Sequence, residues 1–245
     1  MISTFTKSDW DRYAEWYDDL NILHPYAEMI AGVARRLGKK FLPILDAGCG
    51  TGNLTQALIR STTSDVVGLD ASGPMLARAK LKCPDTAFVQ GDLSIGVPFG
   101  AGTFGTVVCV NTLYALPDPH HAFAEFNRTL RMNGRVIVVT PKAGYESGLI
   151  LKAHCGSGKP DSYWCDVHRN GAYEKILVRE AIPDKRLARR FLEIGRVNRM
   201  IARERSFRFF DKTELAKIAL KNGFKNVRIT ETYARQSHLL IATRR

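Results

Sequence analysis

Apolar residues along this chain gather in short runs, each closed by glycine, proline, asparagine or aspartate. Five of them, Ile44–Ala47, Val66–Asp70, Ala87–Gln90, Thr106–Val110 and Arg135–Thr140, are nearly continuous rather than alternating. Strands covered on both faces read this way, because neither side meets water. Helical spacing fills the gaps: Phe123, Phe126 and Leu130 recur at the interval of one buried helical face. Ser72-Gly73-Pro74 supplies a cap and a first turn for another helix. Strand and helix in alternation predict an α/β chain with a doubly wound parallel sheet. Near the end, Asp211-x-x-Glu214 matches a capping box, Leu215, Ile218 and Ala219 give the apolar face, and Gly223 marks the stop. The runs Val227–Thr230 and Ser237–Ala242 lie only a few residues apart. That spacing predicts a hairpin, so the last strand is antiparallel and the seven-stranded sheet is mixed.

Two regions lie outside this alternation. Residues 1–40 predict a helical cap, with one helix over 9–20 that carries Trp10, Tyr13, Trp16 and Tyr17 near one face, and a second from His24 to Leu37. Residues 142–205 form an insertion of loops and helix after the fifth strand. It opens with Gly144, Gly148, Gly156 and Gly158, then shows a helical pattern from Asp184 to about Glu204. Leu187, Phe191, Ile194, Val197 and Ile201 fall on one side of that helix, and Arg186, Arg189, Arg190, Arg196, Arg199 and Arg203 mostly on the rest. The pattern is a basic amphipathic helix, compatible with a substrate lid, a membrane-surface contact or plain packing.

Charge sharpens the picture more than composition does. Residues 1–140 hold 13 basic and 13 acidic residues, whereas residues 141–245 hold 23 and 11, so the entire net charge of +12 sits in the second part. Such asymmetry points to an anionic substrate, a lipid surface or nucleic acid, or else to solvated arginines. No apolar run approaches the ~20 residues of a membrane span. The polar N-terminus, with Asp9, Asp11 and Glu15, is not a signal peptide. Five scattered cysteines, one in a glycine loop and one in an apolar strand, fit a reducing, cytoplasmic location.

The chemistry concentrates in Ile44–Thr55, I-L-D-A-G-C-G-T-G-N-L-T. A strand runs into Asp46, then glycines alternate at 48, 50 and 52 before a helix begins. Glycine allows a sharp turn and close approach to a ligand, and the helix aims its free N–H groups at the same place. A dinucleotide fingerprint requires glycine where Asn53 stands. A carboxylate closes the next strand at Asp70, placed to accept hydrogen bonds from two ribose hydroxyls. With these motifs in this order, the chain resembles the class I S-adenosylmethionine (SAM)-dependent methyltransferases, close to the quinone-biosynthesis-like, type 11 small-molecule group. The resemblance covers nearly everything except residues 142–205 and implies the Rossmann-like methyltransferase fold. One departure is Met132-Asn133 where the family usually has Pro-Gly; Asn133-Gly134 still suits a turn before the fifth strand.

The resemblance implies roles for particular residues. Gly48, Gly50 and Gly52 let backbone approach SAM, Asp46 helps hold the methionyl end, and Asp70 clamps the ribose. Asp92 and Leu93 lie at the adenine amino group, with an N-capping aspartate as the alternative for Asp92; Met75 lies under the adenine or in the core. Asn111, Leu113 and Tyr114, in the loop after the fourth strand, fall between cofactor and acceptor. Tyr13 and Tyr17 resemble the aromatic segment that closes over SAM, where a ring face attracts a sulfonium. His120, Arg189 and Arg190 are candidates for acceptor contact, the arginines pointing to an anionic or lipid-like acceptor. No catalytic base stands out, and alignment of a nucleophile can supply much of the rate. His154, Cys155, Cys165 and His168 lack a paired Cys-x-x-Cys, so no metal is expected. The loop Asn111-Thr112-Leu113-Tyr114 lacks the prolines of base-modifying enzymes, which places RNA modification behind small-molecule methylation. A non-catalytic SAM-binding subunit is the other alternative.

Overall fold

The computed structural model describes residues 6–37, 41–61, 65–156, 158–169, 182, 184–204 and 206–245. The apolar runs become strands β1 (Ile44–Ala47), β2 (Val66–Asp70), β3 (Ala87–Gln90), β4 (Phe104–Val110) and β5 (Leu130–Pro141), followed by β6 (Phe224–Thr232) and β7 (Ser237–Arg244). Their order across one seven-stranded sheet is β3-β2-β1-β4-β5-β7-β6. The first five pair in parallel, and β7 runs antiparallel to both β5 and β6. β1 is buried at every position, and β4 at all but its last, as continuous apolar sequence requires. β6, on the sheet edge, alternates between covered and open positions.

Helices α1 (Lys7–Tyr13), α2 (His24–Arg35), α3 (Asn53–Ser61), α4 (Gly73–Lys82), α5 (Pro119–Thr129), α6 (Ser147–Cys155), α7 (Asp161–Arg169), α8 (Lys185–Arg203) and α9 (Lys212–Lys221) are set by local signals. The Ser72 hydroxyl accepts the N–H of Met75, Asp118 accepts from His120 and His121, and Asp184 from Arg186 and Leu187. Such caps satisfy N–H groups that would otherwise be orphaned, at about 1 kcal/mol each. Asp211 caps α9 through the N–H of Glu214, but the Glu214 carboxylate pairs with Arg208 instead of completing the box.

The N-terminal helix is shorter than its pattern predicts. α1 stops at Tyr13, and the chain tightens into a 3-10 segment, Tyr17–Ile22. Before the fifth strand, Asn133-Gly134 makes a bulge rather than a free turn. Asn133 takes φ +59°, and the register with β4 jumps from Phe104 opposite Leu130 to Thr106 opposite Arg135. Between β5 and α8, helices α6 and α7 pack closely at Gly148, where a Cβ would come within 2.1 Å of the Trp164 carbonyl oxygen. α8 buries Ala188, Phe191, Ile194, Val197 and Ile201 against the core, each large side chain contributing about 1.5–3 kcal/mol of transfer energy. Arg190 of α8 pairs with Asp19 at 2.9 Å, and the Tyr13 hydroxyl donates to Asn198 at 3.4 Å, so α8 rests on the N-terminal segment.

Candidate active site

In a doubly wound sheet, ligands settle beyond the carboxyl ends of the strands where the connections change sides. Here that place, beyond β1 and β4, holds a cavity of about 280 Å³. Its floor comes from residues immediately after four successive strands: Gly48 and Gly50 after β1, Ser72 after β2, Asp92 after β3, Asn111 after β4. Thr6, Lys7 and Trp10 of the N-terminal segment close one side.

The three glycines at the end of β1 all have positive φ, yet each serves a different need. A Cβ on Gly48 would come within 2.2 Å of Thr112 Oγ1, so this position lets the β1 and β4 loops touch. A Cβ on Gly52 would meet Ala79 Cβ at 3.0 Å, so this glycine seats the loop against α4. A Cβ on Gly50 would find nothing nearer than Met75 Sδ and Tyr17 Cε1, both at 3.9 Å. Open space at Gly50 is space for a ligand.

Asp70 organises the loop. Its Oδ2 accepts the Gly50 N–H at 2.8 Å and its Oδ1 the Ser72 N–H at 2.9 Å. Burial pushes its pKa up, and the backbone N–H groups pull it back down. Asp92 Oδ1 accepts both the N–H and the hydroxyl of Ser94, at 2.8 and 2.6 Å. Asn111 sits at φ +53°, a conformation that asparagine tolerates better than most residues. Its N–H donates to the Val139 carbonyl at 2.8 Å, while its Oδ1 is buried with no partner among the described residues.

The N-terminal segment is held over this loop by polar contacts. Asp18 Oδ1 accepts from Thr51 Oγ1 and from the Lys82 ammonium, both at 2.6 Å, and the Ser72 hydroxyl donates to Asp11. The Tyr17 ring thereby meets Tyr13 edge-on at 5.3 Å and Tyr26 at 6.5 Å. Burial first, then the neighbouring tyrosines, push the Tyr17 phenol well above its ordinary range, so it stays protonated. Beyond Tyr17 lies a second, smaller chamber of about 50 Å³, which shares Trp10, Tyr17 and Asn111 with the first.

Comparison with known proteins agrees with this architecture. Residues 45–138 match the family model described as a methyltransferase domain. Over those residues the chain is similar to SAM-dependent methyltransferases. A demethylmenaquinone methyltransferase from Lactococcus lactis is 34% identical over 134 residues, covering 50% of this chain and 53% of the relative. A trans-aconitate 2-methyltransferase from Acidovorax is 36% identical over 91 residues, covering 37% of this chain and 34% of the relative. The chain thus spans about a third to a half of the length of these curated relatives. The magnesium protoporphyrin IX methyltransferase of Synechocystis, solved with bound S-adenosylhomocysteine (SAH), superposes with a TM-score of 0.57 at 18% identity, covering 97% of this chain and 95% of that one. A SAM-dependent methyltransferase from Thermotoga maritima gives 0.59 at 16% identity, covering 96% and 98%. At such identities the likeness is one of fold.

The fold brings together most of the residues singled out in the sequence. Tyr17, Gly48, Gly50, Asp70, Met75, Asp92, Leu93 and Asn111 all line the larger cavity, while Tyr13 and Tyr114 line the smaller. Gly52 and Asp46 line neither. Asp46 is 1% exposed and turned toward α3, where its Oδ2 accepts the Thr55 hydroxyl at 2.6 Å. Burial raises it to about 7; the Thr55 hydrogen bonds oppose this and the Asp70 charge adds to it. Its carboxylate is therefore a buried brace between strand and helix, not a charge presented to the cavity. His120 also stands apart, with its Nδ1 3.0 Å from the Asn222 amide where α5 meets α9. Arg189 is exposed and Arg190 pairs with Asp19, and neither lines either cavity. No three metal-ligating side chains gather among the described residues, and the side chain of His168 lies outside them.

Among the wall residues that escaped the sequence reading are two phenylalanines. Phe207 lines the larger cavity and Phe209 the smaller. The signal was the alternation in Phe207-Arg208-Phe209-Phe210, an extended run with two aromatics on one side and a fully buried Phe210 on the other. Pairing fixes this run: the Arg208 N–H donates to the Tyr114 carbonyl at 2.8 Å, and the Ala143 N–H to that of Phe210 at 2.9 Å.

Proposed function

We propose that this chain transfers a methyl group from SAM to a small-molecule acceptor. The observation that carries the reading is the cavity at the carboxyl ends of four strands, with open space over Gly50 and Asp70 beneath it. SAM, when bound, supplies an electrophilic methyl group on a sulfonium sulfur. The Asp70 carboxylate keeps lone pairs beyond those given to Gly50 and Ser72, enough to accept ribose hydroxyls. Asp92 and Leu93 would border the adenine, with Met75 packed beneath. The Tyr17 ring offers a π face to positive charge, and its protonated phenol remains a donor. Asn111, walling both cavities, stands where acceptor and cofactor would meet. No carboxylate, histidine or lysine lies among the described walls of the smaller chamber. Rate enhancement would come from alignment and exclusion of water, and a proton shed by the acceptor would pass to solvent.

The segment 142–205 would serve as the acceptor-side cover, since its Tyr145, Asn198 and Ile201 wall the smaller chamber. Lys185, Arg186 and Arg189 are exposed along the outer face of α8, which supports contact with an anionic membrane surface. Binding to phosphatidylserine vesicles that vanishes with added salt would support that contact; binding equal to that on neutral vesicles would remove it. Cys49, Cys83 and Cys109 are buried thiols outside any disulfide, in keeping with a reducing compartment such as the cytoplasm. No described helix is long and apolar enough to cross a membrane. The decisive experiment incubates the protein with methyl-labelled SAM and a deproteinised metabolite extract. Label in a small-molecule fraction supports methyl transfer. If SAH binds but no fraction gains label, the chain is a SAM-binding protein without this activity.

A further inference from the structure

A recess of about 360 Å³ lies between α2 and α3 and shares no residue with either chamber. Each helix lends it one stripe at helical spacing: Ala27, Ala31 and Arg35 from α2, Gln56, Ala57 and Arg60 from α3. The Asn21 amide donates to Asn53 at 3.0 Å and closes one end. Both helices begin at that end, and Arg35 and Arg60 stand in their last turns. Alanines in the middle leave room for a third helix, because the distance between packed axes follows the size of the side chains at the contact.

The open face of α2 is complementary to itself. Glu28, Ala31 and Arg35 follow at intervals of three and four residues, and so share one side of the helix. Glu28 and Arg35 are exposed, and Ala31 is half-buried. A second α2 laid antiparallel, Ala31 over Ala31, brings Glu28 of each copy to Arg35 of the other. Such a contact is isologous and closes at two copies. Glu28 otherwise pairs only with His24 of its own helix, at 3.6 Å and well exposed, so giving up that pair costs little.

Charge favours this face for self-association. The recess belongs to residues 1–140, whose 13 basic and 13 acidic residues cancel. Another open groove, between α9 and β6, holds the exposed Leu220 but is rimmed by Lys212 and Lys217. It lies in the part of the chain that carries the whole net charge of +12, where a second copy would meet its own charge.

We infer that the recess between α2 and α3 docks a second copy of this chain, through antiparallel α2 helices paired by Glu28 and Arg35 in both directions. The dimer is independent of the methyl-transfer reading. α2 has 12 residues and is about 18 Å long, and two adjacent helices give a face roughly 20 Å wide. That face is small beside those of stable dimers, so the expected Kd is on the order of 10 μM.

Sedimentation velocity on the full-length protein from ~1 to ~500 μM, in ~0.15 M salt, reads the association directly. The dimer fraction should rise across this range. Glu28→Arg and Arg35→Glu each set like charges face to face, so each should weaken association at least ~10-fold. Combined, they restore opposite charges and should return association to within about 3-fold of wild type. Leu220→Arg, in the other groove, should leave it unchanged. All three positions are exposed, and thermal unfolding checks that each variant keeps its fold. A chain that stays monomeric throughout would overturn the inference. So would association that survives both single reversals, that the double reversal fails to restore, or that Leu220→Arg abolishes.

Discussion

The Gly50 N–H donates to Asp70 Oδ2 at 2.8 Å, so the middle of the glycine loop is tied to the end of β2. The second carboxylate oxygen takes the Ser72 N–H, which fixes the start of α4 at the same time. One side chain thus shapes the cavity floor and faces the place where a ribose would lie. In Asp70→Asn, one amide N–H₂ must confront a backbone N–H, and the charge is gone. SAH affinity by calorimetry should fall by roughly 10–100-fold, as expected for loss of a charge-assisted pair. Unchanged affinity would show that the ribose does not engage this carboxylate.

The glycine loop separates ligand clearance from packing. Gly50→Ala places a methyl group where nothing lies closer than 3.9 Å, so its cost to stability is the left-handed backbone alone, about 1–2 kcal/mol. Gly52→Ala carries that backbone cost and drives its Cβ to 3.0 Å from Ala79 Cβ and 3.2 Å from Ala79 Cα, which cannot rotate away. Gly52→Ala should therefore lower Tm more, whereas Gly50→Ala should cost more SAH affinity. The reverse ranking would place the ligand elsewhere.

Much of this was legible in the chain because local signals and tertiary pairing agree. β1, β2 and β3 end where their apolar runs meet Gly, Asp or Gln, and caps at Ser72, Asp118 and Asp184 start helices as their side chains dictate. Legibility fails where a distant partner decides. Nothing near Arg190 announces Asp19, and nothing near Glu214 favours Arg208 over the reciprocal half of a capping box. Asn133-Gly134 reads as a turn, but continued pairing to β4 on both sides converts it into a bulge. Asp46 stands in the motif where a charge facing the cofactor is expected. Only the structure shows Thr55, in the first turn of α3, claiming its oxygen.

Asp46 also predicts a pH dependence. Its ordinary value is 3.8 and burial lifts it to about 7, so the folded protein holds a proton that the unfolded chain releases. The resulting stability is fully present below pH 3.8 and is lost as pH rises toward 7, by at most on the order of 4 kcal/mol. Glu125 works in a separate window. Its Arg128 partner holds it at about 2, so its contribution is complete above 4.5 and is lost as pH falls. Asp46→Asn keeps an acceptor for Thr55 without a charge. Urea unfolding of the wild type should weaken between pH 4 and 7, and the variant should be flatter across the same range. Parallel curves would mean that Asp46 is ionised throughout.

The last prediction concerns how the N-terminal segment is held over the glycine loop. Asp18 accepts from Thr51, which lies between Gly50 and Gly52, and from Lys82 at the end of α4, both at 2.6 Å. The two charged side chains are only 30% and 20% exposed, so solvent screens them weakly. Burial lowers the Lys82 ammonium, and the Asp18 carboxylate opposes that shift. Asp18→Asn should therefore destabilise the fold by about 1–3 kcal/mol in urea. It should also weaken SAH binding, because Tyr17 is the neighbour of Asp18 in the chain and lines the cavity. Lys82→Met removes the other partner, and a double-mutant cycle isolates their coupling. A coupling near 1 kcal/mol is expected, with little change in added salt. Strict additivity, or SAH affinity indifferent to Asp18→Asn, would show that the segment is held over the loop without the Asp18–Lys82 pair.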